Sequence, residues 1–199
     1  MRTLFVTLVC MLAAGGAGAA TPDSGNNVTA VWKSQQVNFE YRGDSTTYSC
    51  RTLEDKLAMI LRAVGAREDI QLRSYACDEQ VGIARFQVSM QSPVLASEEN
   101  IRELSTYDSK DELVARMNGE KLTSAADLER FPAVWKTVSF SKNRLMRLER
   151  GDCELVQQLR QQILPLMSVH IVKDNVRCSS SFGSVGPPRL TVSALVPAG

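Results

Sequence analysis

Apolar and polar residues alternate at Val37, Phe39 and Tyr41, the period of a strand with one buried face. Arg42, Gly43 and Asp44 turn the chain, and after Cys50 the period changes. Leu53, Leu57, Ile60, Leu61 and Val64 recur at helical spacing, and Gly65 stands where a helix end favours a positive φ. A strand is predicted around Ile70, Leu72 and Tyr75, then a loop from Cys77 to Gly82, then a strand alternating at Phe86, Val88 and Met90. The same order returns later. Val138 and Phe140 begin it, and Cys153 opens a helix carrying Leu155, Val156, Leu159, Ile163 and Leu164. Pro165 interrupts that helix where the first carries Arg62. Val169, Ile171 and Val176 mark the next strand, Ser179 to Pro188 a Gly/Ser/Pro-rich loop, and Leu190, Val192 and Ala194 the last strand.

The recurrence extends to single residues. The two tryptophans, Trp32 and Trp135, are each followed by lysine and stand at one interval ahead of Cys50 and Cys153. Second cysteines follow at similar spacing, Cys77 and Cys178, and extended segments run from Arg85 to Pro93 and from Arg189 to Pro197. The expected fold is α+β: two βαββ pseudo-repeats, residues 31–94 and 134–199, related by a pseudo-twofold axis and each stapled by one disulfide. In each, the helix crosses over to a parallel strand and the final strand returns antiparallel. One sheet or two is left open. A helical connector, residues 95–133, joins them. There Ser109 to Glu112 reads as a capping box ahead of Leu113, Val114 and Met117, with Asn118-Gly119 as the stop. Thr123 or Ser124 is expected to cap a second short helix through Leu128, ended by Pro132.

Before the fold, Arg2 and the apolar run Leu4 to Leu12 read as a signal peptide, residues 1–19, cleaved after Ala19 or Ala20. Cys10 is an ordinary apolar residue of that signal, since Leu8-Val9 does not suit lipidation. Residues 21–30 are mostly turn-formers and read as a loose start, and Asn27-Val28-Thr29 as a polar tail that happens to match a glycosylation acceptor. No later stretch is long and apolar enough for a membrane helix. The whole chain carries 23 basic and 22 acidic side chains. Removing Arg2 with the signal balances them, which argues against nucleic acid and against a polybasic membrane anchor. Four cysteines then remain for an oxidising compartment, and the duplication selects Cys50–Cys77 and Cys153–Cys178 from three pairings. A helix of about 14 residues rises roughly 21 Å and a strand of about seven returns roughly 23 Å, so those ends should meet. Zinc lacks a close cysteine pair, and the single histidine, His170, lies outside any ligand cluster.

Catalytic motifs are missing: there is no nucleophile elbow, Walker loop, dinucleotide fingerprint or His-Glu-x-x-His. His170, with Ser168 or Asp174 nearby, would need a positioned partner to act as a base, and an edge-of-core histidine is the simpler reading. The acid pairs Glu54-Asp55, Glu68-Asp69, Asp78-Glu79 and Glu98-Glu99 read as solvated surface, because adjacent acids point apart. Lys142, Arg144, Arg147 and Arg150 form a basic run diluted by Glu149 and Asp152. Thr46-Thr47-Tyr48-Ser49 reads either as a ligand-facing platform at a helix N-terminus or as a β-rich approach in which Ser49 or Thr52 caps the helix.

That string, running from Gly43 to Cys50 and followed by Leu53 to Leu57 and by Gly65-Ala66-Arg67, resembles a group of uncharacterised exported proteins of Gram-negative bacteria. They join a Thr-Thr-Tyr-Ser-Cys approach to a helix closing in Leu-Gly-Ala-Arg; here Val64 stands for the Leu. The resemblance, over residues 31–93, implies a periplasmic location and no activity, cofactor or site. The sequence therefore describes construction better than function. Its leading expectation is a non-enzymatic binding or interaction module of the envelope, with no cofactor or metal, whose partner is an envelope protein or a small ligand. The ligand is expected in a cleft between the repeats, with Trp32 and Trp135 as interface aromatics or core. The alternative is a small periplasmic hydrolase with its site in that cleft.

Overall fold

A computed structural model describes residues 27–79, 82–119, 121–178 and 186–199. The expected signal peptide and most of the Ser179–Pro188 loop lie outside the described residues. The elements run β1 (Val28–Arg42), α1 (Cys50–Ala63), β2 (Gln71–Asp78), β3 (Ile83–Leu95), α2 (Glu98–Ser105), α3 (Ser109–Asn118), β4 (Arg130–Ser139), α4 (Cys153–Gln162), β5 (Val169–Asn175) and β6 (Arg189–Pro197). Short 3-10 turns at Arg150–Asp152 and Leu164–Leu166 flank α4.

The six strands form one sheet in the order β2-β3-β1-β4-β6-β5, with every pairing antiparallel. In each half the strand after the helix runs parallel to the one before it, and the final strand inserts between them. Both disulfides are in place, Cys50–Cys77 with Cα atoms 6.1 Å apart and Cys153–Cys178 with 5.6 Å. Gly65 has the expected positive φ, 104°, and a Cβ there would lie 2.3 Å from the Leu195 carbonyl oxygen.

One apolar core spans both halves. Leu53, Leu57, Ile60 and Leu61 of α1 and Leu155, Val156 and Leu159 of α4 pack with Phe39, Phe86, Val138 and Val192 on one sheet face. The seam is narrow. β1 and β4 pair only from Val28 to Val31 against Arg130 to Ala133. Beyond it, α4 lies along the unpaired edge of β1. Gln162 accepts from the Glu40 N–H at 2.9 Å and donates to the Glu40 carbonyl, and Gln158 does the same for Arg42 at 2.8 Å and 2.6 Å. Two amides one helical turn apart thus stand in for a neighbouring strand.

A second seam is polar and buried. The Tyr48 hydroxyl donates to Asp152 Oδ1 at 2.5 Å, and Lys56 Nζ lies 2.9 Å from Oδ2, which also accepts from the Glu149 N–H. Glu154 accepts from the Asp44 and Ser45 N–H groups. So the Thr46–Ser49 string belongs to the joint between the halves. Ser49 caps α1, accepting from the Thr52 N–H at 3.2 Å, so capping and the joint account for the Ser49 and Tyr48 hydroxyls.

Three expectations are corrected. The chain is already a strand at Val28, because Val28–Val31 make the central pairing, so residues 21–30 are not all loose. The connector's capping box belongs to Asp108 and Asp111, one residue ahead of the predicted one, although Gly119 ends that helix with φ 68° as expected. No helix forms from Thr123 to Leu128. Asp127 ties the Ser124 turn, Pro132 sits within β4, and the other connector helix is α2, capped by Ser97.

Candidate functional site

Side chains alternate between the two faces of a strand, so the register assigns each residue to the helical face or to the opposite one. The opposite face holds a small apolar patch, Ala30, Ala133 and Leu195, packed by Val28, Phe131 and Trp135. No helix contributes to this cluster among the described residues. Trp32 and Trp135 both lie on this open face and both are half-buried. Core packing therefore accounts for only part of each ring.

Each tryptophan has a nitrogen-bearing neighbour, a guanidinium for Trp32 and an imidazole ring for Trp135. Arg67 sits over the Trp32 ring at 5.9 Å, and Phe131 stacks on the same ring with centroids 4.5 Å apart. The His170 ring lies 4.7 Å from Trp135. Arg67 and His170 follow their tryptophans at one interval, 67 − 32 = 170 − 135. A guanidinium over an indole is attracted by the ring's negative face and holds it flat. His170 is thus a surface neighbour of Trp135. One possible catalytic companion is elsewhere: Asp174 pairs with Arg160 on the helical face.

Two residues past each tryptophan, at Ser34 and at Thr137, a cavity begins on the same face. Beside Trp32, about 410 Å³ is lined by Ser34, Gln36, Gln71, Ser89, Gln91 and neighbouring residues. Gln91 donates to Ser34 there, leaving its buried Oε1 without a partner. Beside Trp135, about 690 Å³ is lined by Thr137, Ser139, Ser141, Lys142, Lys173, Asn175, Pro187, Arg189 and Thr191. The first is an amide and hydroxyl surface with one carboxylate, Asp69; the second is cationic.

The cleft expected between the halves exists as a groove of about 510 Å³ between the α1 C-terminal turn and the free edge of β4. Arg62, Lys136 and Lys142 line it and no carboxylate does, so an acid–base pair of the glycosidase kind has no residues there. The four acid pairs are dispersed. Glu68 pairs with Arg62 and Asp69 with Arg67, Glu79 accepts from the Cys50 N–H, and Glu98 and Glu99 occupy the first turn of α2, where carboxylates suit the helix dipole. Glu54 and Asp55 lie on α1. In the basic run Lys142 lines this groove and the cavity beside Trp135, while Arg144, Arg147 and Arg150 are exposed. Among the described residues no group of three His, Cys, Asp or Glu could hold a metal, and no helix is long and apolar enough to cross a membrane.

Comparison with protein families, with curated proteins and with solved structures finds no match for this chain. The functional reading therefore rests on the site. Its tryptophans were visible in the sequence. Their partners were visible only as an unremarked equal spacing, and the cationic cavity left no local signal.

Proposed function

We propose that this chain is an exported, non-enzymatic binding protein of the bacterial envelope that holds its ligand or partner across the open face of the sheet. The carrying observation is that both tryptophans lie partly exposed on the sheet face opposite the main apolar core, Trp32 against Arg67 and Trp135 against His170, each two residues along its strand from a position that lines a cavity. Aromatic groups so placed offer large contact area at small cost in side-chain entropy. The two disulfides suit an oxidising compartment, and the signal-like leader and the resemblance of the Thr-Thr-Tyr-Ser-Cys string favour the periplasm.

We further read the halves as copies of one βαββ unit about a pseudo-twofold axis near the β1–β4 seam. Supporting this are the shared element order, the matching disulfides and the equal spacing of Trp32–Arg67 and Trp135–His170. On that reading the open face presents two related half-sites. The test is affinity capture from a periplasmic extract with wild type, Trp32→Ala and Trp135→Ala side by side. A partner held by wild type and lost from the folded variants supports the reading. A partner held equally by all three, or turnover of a hydrolase substrate, overturns it.

A further inference from the structure

We propose that the cavity between β4, β6 and β5 is an oxyanion site for a phosphate-bearing ligand, held by Lys142, Lys173 and Arg189. This deepens the reading of the open face as a binding surface by naming the chemistry of one half-site.

Three strands place the residues. Ser139 lies opposite Thr191, and Thr191 opposite Lys173. Arg189 lies opposite Asn175 in the next row, and Lys142 follows β4 at the rim. A bulge in β5 decides the set: the register shifts between Ile171 and Lys173, so Lys173 rather than Val172 faces Thr191. Bulges re-aim side chains in this way at functional edges.

Charge is the stronger argument. Three cations line the space together with four hydroxyl residues and Asn175, and among the described residues no carboxylate lines it. Among the described residues none of the three cations has an ion-pair partner within 4.0 Å, a state they share with other exposed cations such as Arg73 and Arg130 but hold here around one cavity. The neighbouring acid, Asp174, is turned to the other face by the same register and engaged by Arg160. The corresponding corner of the other half-sheet is neutralised, since Arg85 and Arg42 both bind Glu40. In a chain with nearly balanced charge, this gathering is local. Like charges held together without a counter-charge repel, and a bound oxyanion with several acceptor oxygens relieves that while taking up the hydroxyl donors. Trp135 and His170 flank the cavity through Thr137 and Ser193. A ligand with an oxyanion and a flat or apolar body would use both.

Nuclear magnetic resonance titration of the oxidised mature chain with inorganic pyrophosphate tests the site. The expected result is saturable shifts centred on Ser139, Thr191 and the Arg189 side chain, with affinity falling roughly tenfold for each cation removed in Lys173→Gln and Arg189→Gln. The control is Lys110→Gln with Arg116→Gln on α3, expected to bind as wild type. Shifts spread over all basic surfaces, or unchanged binding in the cavity variants, would overturn the proposal. A second arm separates sources. Sedimentation with phosphatidylglycerol vesicles, lost in the cavity variants, identifies a lipid headgroup; pyrophosphate binding without vesicle binding identifies a soluble phosphate compound; neither sinks the site. Trp135→Ala keeps the two readings apart. Pyrophosphate binding there as in wild type, with partner capture also retained, would leave the oxyanion site standing and remove the tryptophan anchor.

Discussion

The most consequential single residue is Asp152, whose carboxylate collects Tyr48, Lys56 and the Glu149 N–H at a buried joint. Asp152→Ala strands a mostly buried ammonium and removes one of the two acceptors of the Tyr48 hydroxyl, the other being the Gly151 carbonyl, and should cost about 3 kcal/mol in urea unfolding, far more than removing an exposed pair such as Lys121–Asp127. Tyr48 adds a pH signature. Burial first, and the Asp152 carboxylate second, push its hydroxyl far above the ordinary tyrosine value; burial and the Glu154 charge do the same for Tyr41. Both groups therefore keep their protons in the folded protein where the unfolded chain releases them. Their contribution is fully present below about pH 10 and is lost as pH rises further. The urea midpoint should fall steeply above about pH 10 in wild type and less steeply in Tyr48→Phe; parallel slopes would contradict the assignment. Gly65 is the third such residue. Gly65→Ala joins a left-handed φ to a Cβ driven into the Leu195 carbonyl, and should cost at least about 2 kcal/mol in the same assay.

Among the elements, α4 does what a strand would do, and its glutamines carry a prediction. Gln158→Ala with Gln162→Ala leaves two N–H and two C=O groups of β1 without partners, at roughly 1 kcal/mol for each N–H···O bond that water replaces poorly. It also bares an edge able to recruit another strand, so size-exclusion chromatography should show concentration-dependent association absent from wild type. These glutamines are a useful measure of what the sequence disclosed. The helices of the two halves were legible because their apolar faces are periodic and buried, and the cysteines fixed their phase. Lys33-Ser34-Gln35-Gln36 in β1 was not, because its side chains meet solvent, a salt bridge to Glu103 and amide contacts rather than apolar core. Helix α2 escaped for a related reason: it buries no residue and is held by its Ser97 cap and acidic first turn. The cationic cavity was beyond reach, since Lys142, Lys173 and Arg189 meet only after two strand pairings and a bulge are known.

For the whole molecule, the repeated pattern raises the question of whether the halves are independent. Each has its own disulfide, closing loops of 27 and 25 residues, and each such closure contributes roughly 3–4 kcal/mol by chain entropy. The strand pairing between the halves is only four residues long, which by itself would favour separable units. Three other links oppose that. The apolar core runs unbroken from α1 to α4, the second half supplies the glutamines that complete the edge of β1, and its Asp152 and Glu154 hold the loop that leads into α1. Cutting between the halves would expose apolar surface on both and leave a buried-type carboxylate cluster without its donors, so neither half should be stable alone. Urea unfolding of the oxidised chain should then be a single transition, coincident by fluorescence of the two tryptophans and by circular dichroism. Replacing only Cys153 and Cys178 by alanine should shift the whole transition by roughly 3 kcal/mol, moving the Trp32 half together with the Trp135 half. Two transitions, or a shift confined to one tryptophan in single-tryptophan variants, would show that the seam is weaker than its buried contacts require.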